Sequence, residues 1–67
     1  MPEPREARSI VEEAEQAAAA GNYASAEDLL RQAAALQEQT LGAQHPDLAN
    51  TLNNLGVVLH EERFTVR

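Results

Sequence analysis

A short break between two helix-forming segments constrains the fold of this chain more than any other feature. Residues 21–26 read GNYASA, and apolar residues recur every three or four positions on both sides of them. That spacing is typical of amphipathic helices, because it places the apolar residues on one face. Glycine ends helices readily, so the pattern predicts an antiparallel helical hairpin. The apolar positions are mostly small, which lets two helices approach closely, as in the stacked units of repeat proteins.

The same periodicity predicts three helices and no strands, an all-α fold. The apolar face of the first helix holds Ile10, Ala14, Ala17 and Ala18. The buried stripe of the second is predicted to hold Ala26, Leu29, Leu30, Ala33, Leu36 and Leu41. In the third, Leu48, Leu52, Leu55 and Leu59 alternate steps of four and three, with Thr51 and Val58 beside them. The predicted organisation is an irregular N-terminus (1–4), a first helix pair (5–41), a loop (42–45), a third helix (46–62) and a C-terminal tail (63–67).

Capping residues support these boundaries. Asn22 is predicted to cap the second helix through its side-chain oxygen, and Ser25 with Asp28 offers an alternative capping pair. Gly42 suits the left-handed residue that follows a helix. Pro46 suits the first turn of the third helix, where no N–H is needed.

Length and charge exclude several classes of protein. A chain of 67 residues forms one small domain with a thin core, and without cysteine it has no disulfide to reinforce it. The net charge is −6 and the five basic residues are scattered, which argues against a nucleic-acid partner. No apolar run approaches the roughly 20 residues of a membrane span, and the first residues lack the apolar core of a signal peptide. We therefore expect a cytoplasmic protein with no membrane partner.

An internal repeat indicates that the third helix copies the first. An offset of 42 residues aligns Pro4 with Pro46, Ala7 with Ala49, Ser9 with Thr51, Ile10 with Leu52 and Ala14 with Gly56. The chain would then hold one complete helix pair and the opening helix of a second. We expect such a unit to gain stability from a neighbouring copy or from the rest of a longer protein.

These residues resemble a known family. The order Ile10, Ala14, Ala17, Gly21-Asn22-Tyr23, Ala26, Leu30, Ala33 resembles the tetratricopeptide repeat. Residues 41–56, LGAQHPDLANTLNNLG, are similar to the longer repeats of kinesin light chains and of bacterial repeat proteins of that type. The 42-residue offset fits this longer variety better than the ordinary repeat of about 34 residues. The chain departs from the family after Leu59, where a glycine and then an aromatic residue would be expected.

The resemblance implies a non-catalytic module that binds a protein or peptide partner on a concave helix face. The candidates on that face of the third helix are Asn50, Asn53, Asn54, Val57 and His60. Those on the first helix are Arg8, Val11, Glu12, Glu15 and Ala18. Asn54 matches the family most closely, and an asparagine amide can both donate to and accept from a peptide backbone. Alternatively, Asn53 and Asn54 satisfy local helix or loop groups and contact no ligand.

Charge adds an expectation about the partner. Glu12, Glu13 and Glu15 would make one flank of the concave face negative, which favours a basic or neutral peptide over an acidic one. The alternative is that these glutamates form a solvated helix face that maintains solubility.

The remaining polar residues do not support chemistry. His45 and His60 could be paired with Asp47 and Glu61 as metal ligands, but no pair has the close helical spacing of a zinc site, so we expect no metal and no cofactor. His45 is expected instead to help start the third helix. No serine or threonine has a base at a recognisable spacing and there is no phosphate-binding loop, so we expect no enzyme activity.

Self-association is the alternative function. The leucine stripe of the third helix should pack on the second, and no further helix of this chain covers its other side. An exposed apolar strip marks an interface, so we expect a homo-oligomer, most simply a dimer. The residues predicted for that interface are Leu48, Leu52, Leu55, Val58 and Leu59.

Overall fold

The computed structural model describes residues 4–65, with side chains over residues 7–64. Across this range the regular structure is three α-helices, α1 (Pro4–Ala19), α2 (Tyr23–Leu41) and α3 (Pro46–Thr65). The predicted all-α class is confirmed. The middle helix α2 packs against both α1 and α3, and the molecule extends 40 × 19 × 13 Å along its principal axes. The shallowest dimension is close to the diameter of a single helix, so the fold has little depth in which to bury side chains.

The third helix is longer than predicted. It continues to Thr65 and not only to the predicted residue 62, so residues 63–65 are helical and not part of a tail. Residues 60–64 contain no glycine or proline to stop the helix, and Arg63 lies in its last turn, where a cation interacts favourably with the helix dipole. Pro4 begins α1, and the other residues of the predicted termini, 1–3, 66 and 67, lie outside the described residues.

The first connection is a Schellman turn. Gly21 has a φ of +83°, its N–H donates to the carbonyl of Ala18, and the Asn22 N–H donates to the carbonyl of Ala17. This pair of bonds satisfies carbonyls that the end of α1 would leave open. The predicted side-chain cap at Asn22 is wrong, because its side chain makes no capping hydrogen bond and only its carbonyl accepts, from Ala26 N–H. The alternative Ser25–Asp28 cap is also wrong, since α2 already begins at Tyr23.

The second connection is a tight turn between α2 and α3. Gly42 donates its N–H to the Glu38 carbonyl, and its own carbonyl accepts from His45 N–H at 3.3 Å. Its φ and ψ of +96° and 159° lie outside the left-handed helical region predicted for it, in a region that essentially only glycine occupies. The glycine therefore redirects the chain into the turn.

His45 caps the start of α3, as predicted. Its Nδ1 accepts a hydrogen bond of 3.1 Å from Asp47 N–H, in place of the usual serine or aspartate oxygen. The Asp47 carboxylate oxygen lies 3.9 Å from the same Nδ1, but an ion pair there would require a proton on Nδ1. The shorter contact needs an unprotonated Nδ1, so the neutral ring with its hydrogen on Nε2 fits the geometry better.

Loss of this cap has a measurable cost. We expect His45→Ala to lower the free energy of unfolding by about 1 kcal/mol, because Asp47 N–H loses its acceptor. His45→Asn, which restores a capping oxygen, should recover most of that loss. Urea unfolding followed by circular dichroism measures both variants. Equal stability of His45→Ala and the wild type would show that the ring does not cap α3.

The core is a small cluster that joins all three helices. It consists of Ala14 from α1, Ala26 and Leu30 from α2, and Val58 from α3. Of the predicted α2 stripe, Ala26, Leu30 and Ala33 are buried, while Leu29, Leu36 and Leu41 are only partly covered. Leu30 is the one large side chain of the described residues that is fully buried, so the stability of the fold depends heavily on it.

A buried polar pair links α2 to α3, and the periodicity did not predict it. The Thr51 hydroxyl lies 2.6 Å from the Gln37 amide oxygen and 3.1 Å from the Asp47 carbonyl. A hydroxyl has one hydrogen, so it donates to one of these at a time; with the amide turned over, Gln37 Nε2 donates to Thr51, which then donates to Asp47. Either arrangement satisfies the buried Thr51 hydroxyl and fixes the register of α3 against α2.

The buried face of α3 is rotated from the one predicted. Leu48, Thr51 and Val58 are buried, whereas Leu52 is 49% exposed and Leu55 and Leu59 are half-buried. Thr51 and Val58 were predicted only to widen a stripe centred on the leucines. The centre of the stripe lies on their side instead, because α3 must contact α2 and also approach α1.

Candidate functional site

A groove of about 350 Å³ runs between α1 and α3. Its floor is apolar and its rim carries Glu15 from α1 and Asn54 and Glu61 from α3. The lining residues are Ala14, Glu15, Ala18, Ala19, Tyr23, Leu30, Asn54, Val57, Val58 and Glu61. The groove lies directly above the core, since Ala14, Leu30 and Val58 belong to both.

The groove exists because α1 and α3 lie side by side on α2 and run in the same direction. Arg8 and Val11, early in α1, share a second, more polar depression with Asp47 and Asn50, early in α3. Later residues of the two helices share the main groove. The two helices begin 42 residues apart, at Pro4 and Pro46, so equivalent positions face each other.

The structure brings together part of the predicted concave set. Glu15, Asn54 and Val57 line the main groove, and Val57 is 52% exposed. Asn50 lines the second depression. Asn53 and His60 are exposed on α3 but line neither. The His60 ring instead packs edge-on against Phe64, with ring centroids 4.5 Å apart.

The charges at the groove differ from the prediction in two respects. Glu15 lines the groove, but Glu13 lines a separate depression between α1 and α2, so the three α1 glutamates do not form one flank. Glu61 on α3, which was not among the predicted residues, supplies the second carboxylate at the groove. The main groove is therefore flanked by acid on both helices, whereas the second depression holds both Arg8 and Asp47.

Three groove residues, Ala19, Tyr23 and Glu61, were missed from the sequence. Tyr23, at the first position of α2, packs against the core and forms part of the groove wall. Glu61 lies four residues after Val57, so it shares a helix face with it. That spacing was the available signal for Glu61, whereas nothing in the local sequence indicated that the first residue of α2 would reach the groove.

A second face, on the other side of α3, contains three of the five predicted self-association residues, Leu48, Leu52 and Leu55, whereas Val58 lies on the groove side. A depression of about 480 Å³ is walled by α2 and α3 and lined by Arg31, Ala34, Ala35, Glu38, Ala43, Leu48, Leu52 and Leu55. Leu48 and Val58 were predicted to contact a second copy, but both are buried within the chain and offer no area to a partner. Leu52, Leu55 and Leu59 keep part of their side chains accessible.

The described residues contain no group of three histidine, cysteine or acidic side chains positioned to hold a metal ion. None of the three helices, over the described range, is both long and apolar enough to cross a bilayer. The polar side chains that line the groove are two carboxylates, one amide and the Tyr23 phenol, which can bind by charge and by hydrogen bonding.

Comparison with known proteins identifies one relationship. A family model described as tetratricopeptide repeat matches residues 5–64, which covers most of the chain. The comparisons with curated proteins and with solved structures gave no match.

Proposed function

The chain belongs to the tetratricopeptide repeat family, a family of non-catalytic repeat scaffolds that mediate protein–protein interaction, and on that premise we propose that the α1–α3 groove binds an extended peptide segment of a partner protein. The observation that carries this proposal is the groove itself. It has an apolar floor for side chains, and Asn54 at its rim can hydrogen-bond the backbone of a peptide.

The partner segment is proposed to be basic or neutral. Glu15 lies on the α1 wall of the groove, so its charge acts on whatever occupies it. The whole chain has a net charge of −6, which adds to the repulsion of an acidic peptide. A lysine or arginine side chain could lay its aliphatic stem over Ala18 and Val57 while its cation lies near Glu15.

We also propose that the repeat is of the longer, kinesin-light-chain-like variety. The support is the 42-residue separation of Pro4 and Pro46, which begin α1 and α3. The cytoplasmic location and the absence of nucleic-acid and membrane partners stay predictions. Self-association through α3 would use a different face and is compatible with peptide binding.

Selection from a random peptide library displayed on phage tests this function. We expect the wild-type chain to enrich basic or neutral peptides. For an enriched peptide, fluorescence anisotropy should show that Asn54→Ala lowers the affinity about fivefold, because one backbone hydrogen bond is lost. The matched control is Gln32→Ala, which removes an exposed amide from α2 on the far side of α1.

The charge component has its own pair of variants. Glu15→Gln should lower the affinity for a basic peptide about two- to fivefold, a typical value for an exposed charge pair. Glu13→Gln, two positions earlier and outside the groove, should leave it unchanged. Enrichment of acidic peptides, or an equal loss from Gln32→Ala and Asn54→Ala, would contradict the proposal.

A further inference from the structure

One face of α3 is apolar and partly exposed. Ala49, Leu52, Gly56 and Leu59 follow one another at steps of three and four, so they form a single line, here called the α3 stripe. Leu52 is 49% exposed, and a Cβ placed on Gly56 would meet nothing within 4 Å. The stripe contains no charged residue, although the chain is rich in acid.

An acidic and a basic side chain, Glu38 and Arg31, lie at the two ends of the depression beside the stripe, and Arg31 is paired with Glu27 at 2.8 Å. Gln37 of α2 contacts Thr51 of α3, and the two helices run antiparallel from that point. Glu38 therefore lies beside the start of α3, near Leu48, and Arg31 lies farther along, near Leu55. Arg63 is exposed one turn beyond Leu59, at the far end of the same line.

We propose that a second copy of the chain covers this face, with the two α3 helices antiparallel about a twofold axis that passes beside Gly56. The occupant is argued from spacing and from charge. In this arrangement Leu52 of each copy packs against Leu59 of the other, because the two leucines lie one heptad apart on either side of the axis. Gly56, without a side chain, lets the helices approach closely at the axis.

Charge complementarity favours the second copy in this orientation. When the second α3 lies antiparallel, its Arg63 comes to the end of the depression that holds Glu38, and the same pairing recurs by symmetry. A parallel arrangement would place Arg63 beside Arg63 and align the two helix dipoles. The antiparallel one pairs opposite charges and opposes the dipoles.

Sedimentation velocity of the intact chain over a range of concentrations tests the dimer. At physiological salt, where the repulsion of the two net charges is screened beyond about 8 Å, we expect a concentration-dependent dimer. Leu52→Glu should weaken dimerisation at least about tenfold, because it places a carboxylate in the apolar interface. The matched control is Val57→Glu, which changes an equally exposed residue of the same helix on the groove side and should leave the dimer intact.

Charge reversal tests the orientation. Arg63→Glu and Glu38→Arg should each weaken the dimer, and the double variant should restore it, because the pair is re-formed with its signs exchanged. A simple effect of net charge would instead make Glu38→Arg strengthen association. Circular dichroism confirms that each variant is folded, and all four substituted positions, 38, 52, 57 and 63, are exposed.

Several outcomes would overturn this inference. A monomer at all concentrations up to about 1 mM, a range that covers weak protein interfaces, would do so. A dimer that Val57→Glu disrupts and Leu52→Glu does not would place the interface in the groove. Failure of the double variant to restore the dimer would reject the antiparallel pairing. The first and third of these results do not bear on peptide binding, which depends on the opposite side of α3, whereas a dimer formed in the groove would compete with the peptide.

Discussion

Leu30→Ala is expected to unfold most of the protein at room temperature. Leu30 is 1% exposed and connects the parts of the core contributed by α1 and α3. Truncation of a buried leucine to alanine costs about 2–5 kcal/mol, as lost burial and a residual cavity. A chain of this length has a total stability of about 3–10 kcal/mol, and a core this rich in alanine places it toward the lower end.

Leu52→Ala is the control that separates the cost of the buried cavity from the cost of truncating a leucine. It removes the same atoms from a side chain that is half exposed, so it should cost under about 1 kcal/mol when the chain is dilute enough to be monomeric. Thermal and urea unfolding by circular dichroism measure both variants. Equal destabilisation by the two substitutions would mean that Leu30 is not the centre of the core.

Gly42→Asn is expected to cost about 1–3 kcal/mol, while Gly21→Asn should cost much less. Both glycines have positive φ and open space around the missing Cβ, so no steric clash with neighbours enters the comparison. The difference is in the backbone. Gly21 ends a Schellman motif, whose left-handed conformation asparagine tolerates, whereas Gly42 combines a φ of +96° with a ψ of 159°.

Alanine at each position completes this test. Gly42→Ala should be about as costly as Gly42→Asn, while Gly21→Ala should cost more than Gly21→Asn, because alanine lacks the local hydrogen bonding that lets asparagine adopt the left-handed conformation. Urea midpoints with unchanged slopes would give the differences directly. Tolerance of asparagine at both glycines would contradict the strained backbone conformation of Gly42.

The helices could be predicted from the sequence because their signals are local. Gly21 and Pro46 mark an end and a beginning, and the apolar period between them fixes the type of structure. The Asn22 cap was wrong because the Schellman turn uses the backbone of that residue. The extension of α3 to Thr65 was not predicted, because the resembled family has a helix-ending glycine after the position of Leu59. Residues 60–64 of this chain contain no such glycine.

Tertiary packing decided what the sequence could not. The spacing of apolar residues alone predicted that a stripe of leucines on α3 is buried. Because α3 packs on α2 and also approaches α1, the buried residues are instead Leu48, Thr51 and Val58. The burial of Gln37 could not be predicted from the apolar pattern, because Gln37 is polar. It is buried at the helix interface, where its amide bonds Thr51 of α3. Such pairings join residues distant in sequence, so no local rule predicts them.

The sequence indicated several residues that line the groove, but it did not indicate which acidic side chains flank it. Glu15, Asn54 and Val57 were expected on the concave face because, in the family that the chain resembles, the first helix of each pair lines that face. All three line the groove. Glu13 was placed on the wrong flank, since neighbouring residues on a helix point about 100° apart. The approach of Tyr23 and Glu61 to the same space depends on how the helices pack.

Amide NMR shifts during titration with a library-selected peptide test the proposed binding of peptide in the α1–α3 groove. We expect the largest shifts to cluster at Glu15, Ala18, Asn54 and Val57, with small changes at Glu13 and Gln32. Saturating peptide that leaves the groove amides unshifted, or whose largest shifts fall at Ala34, Ala35 and Leu52, would contradict it.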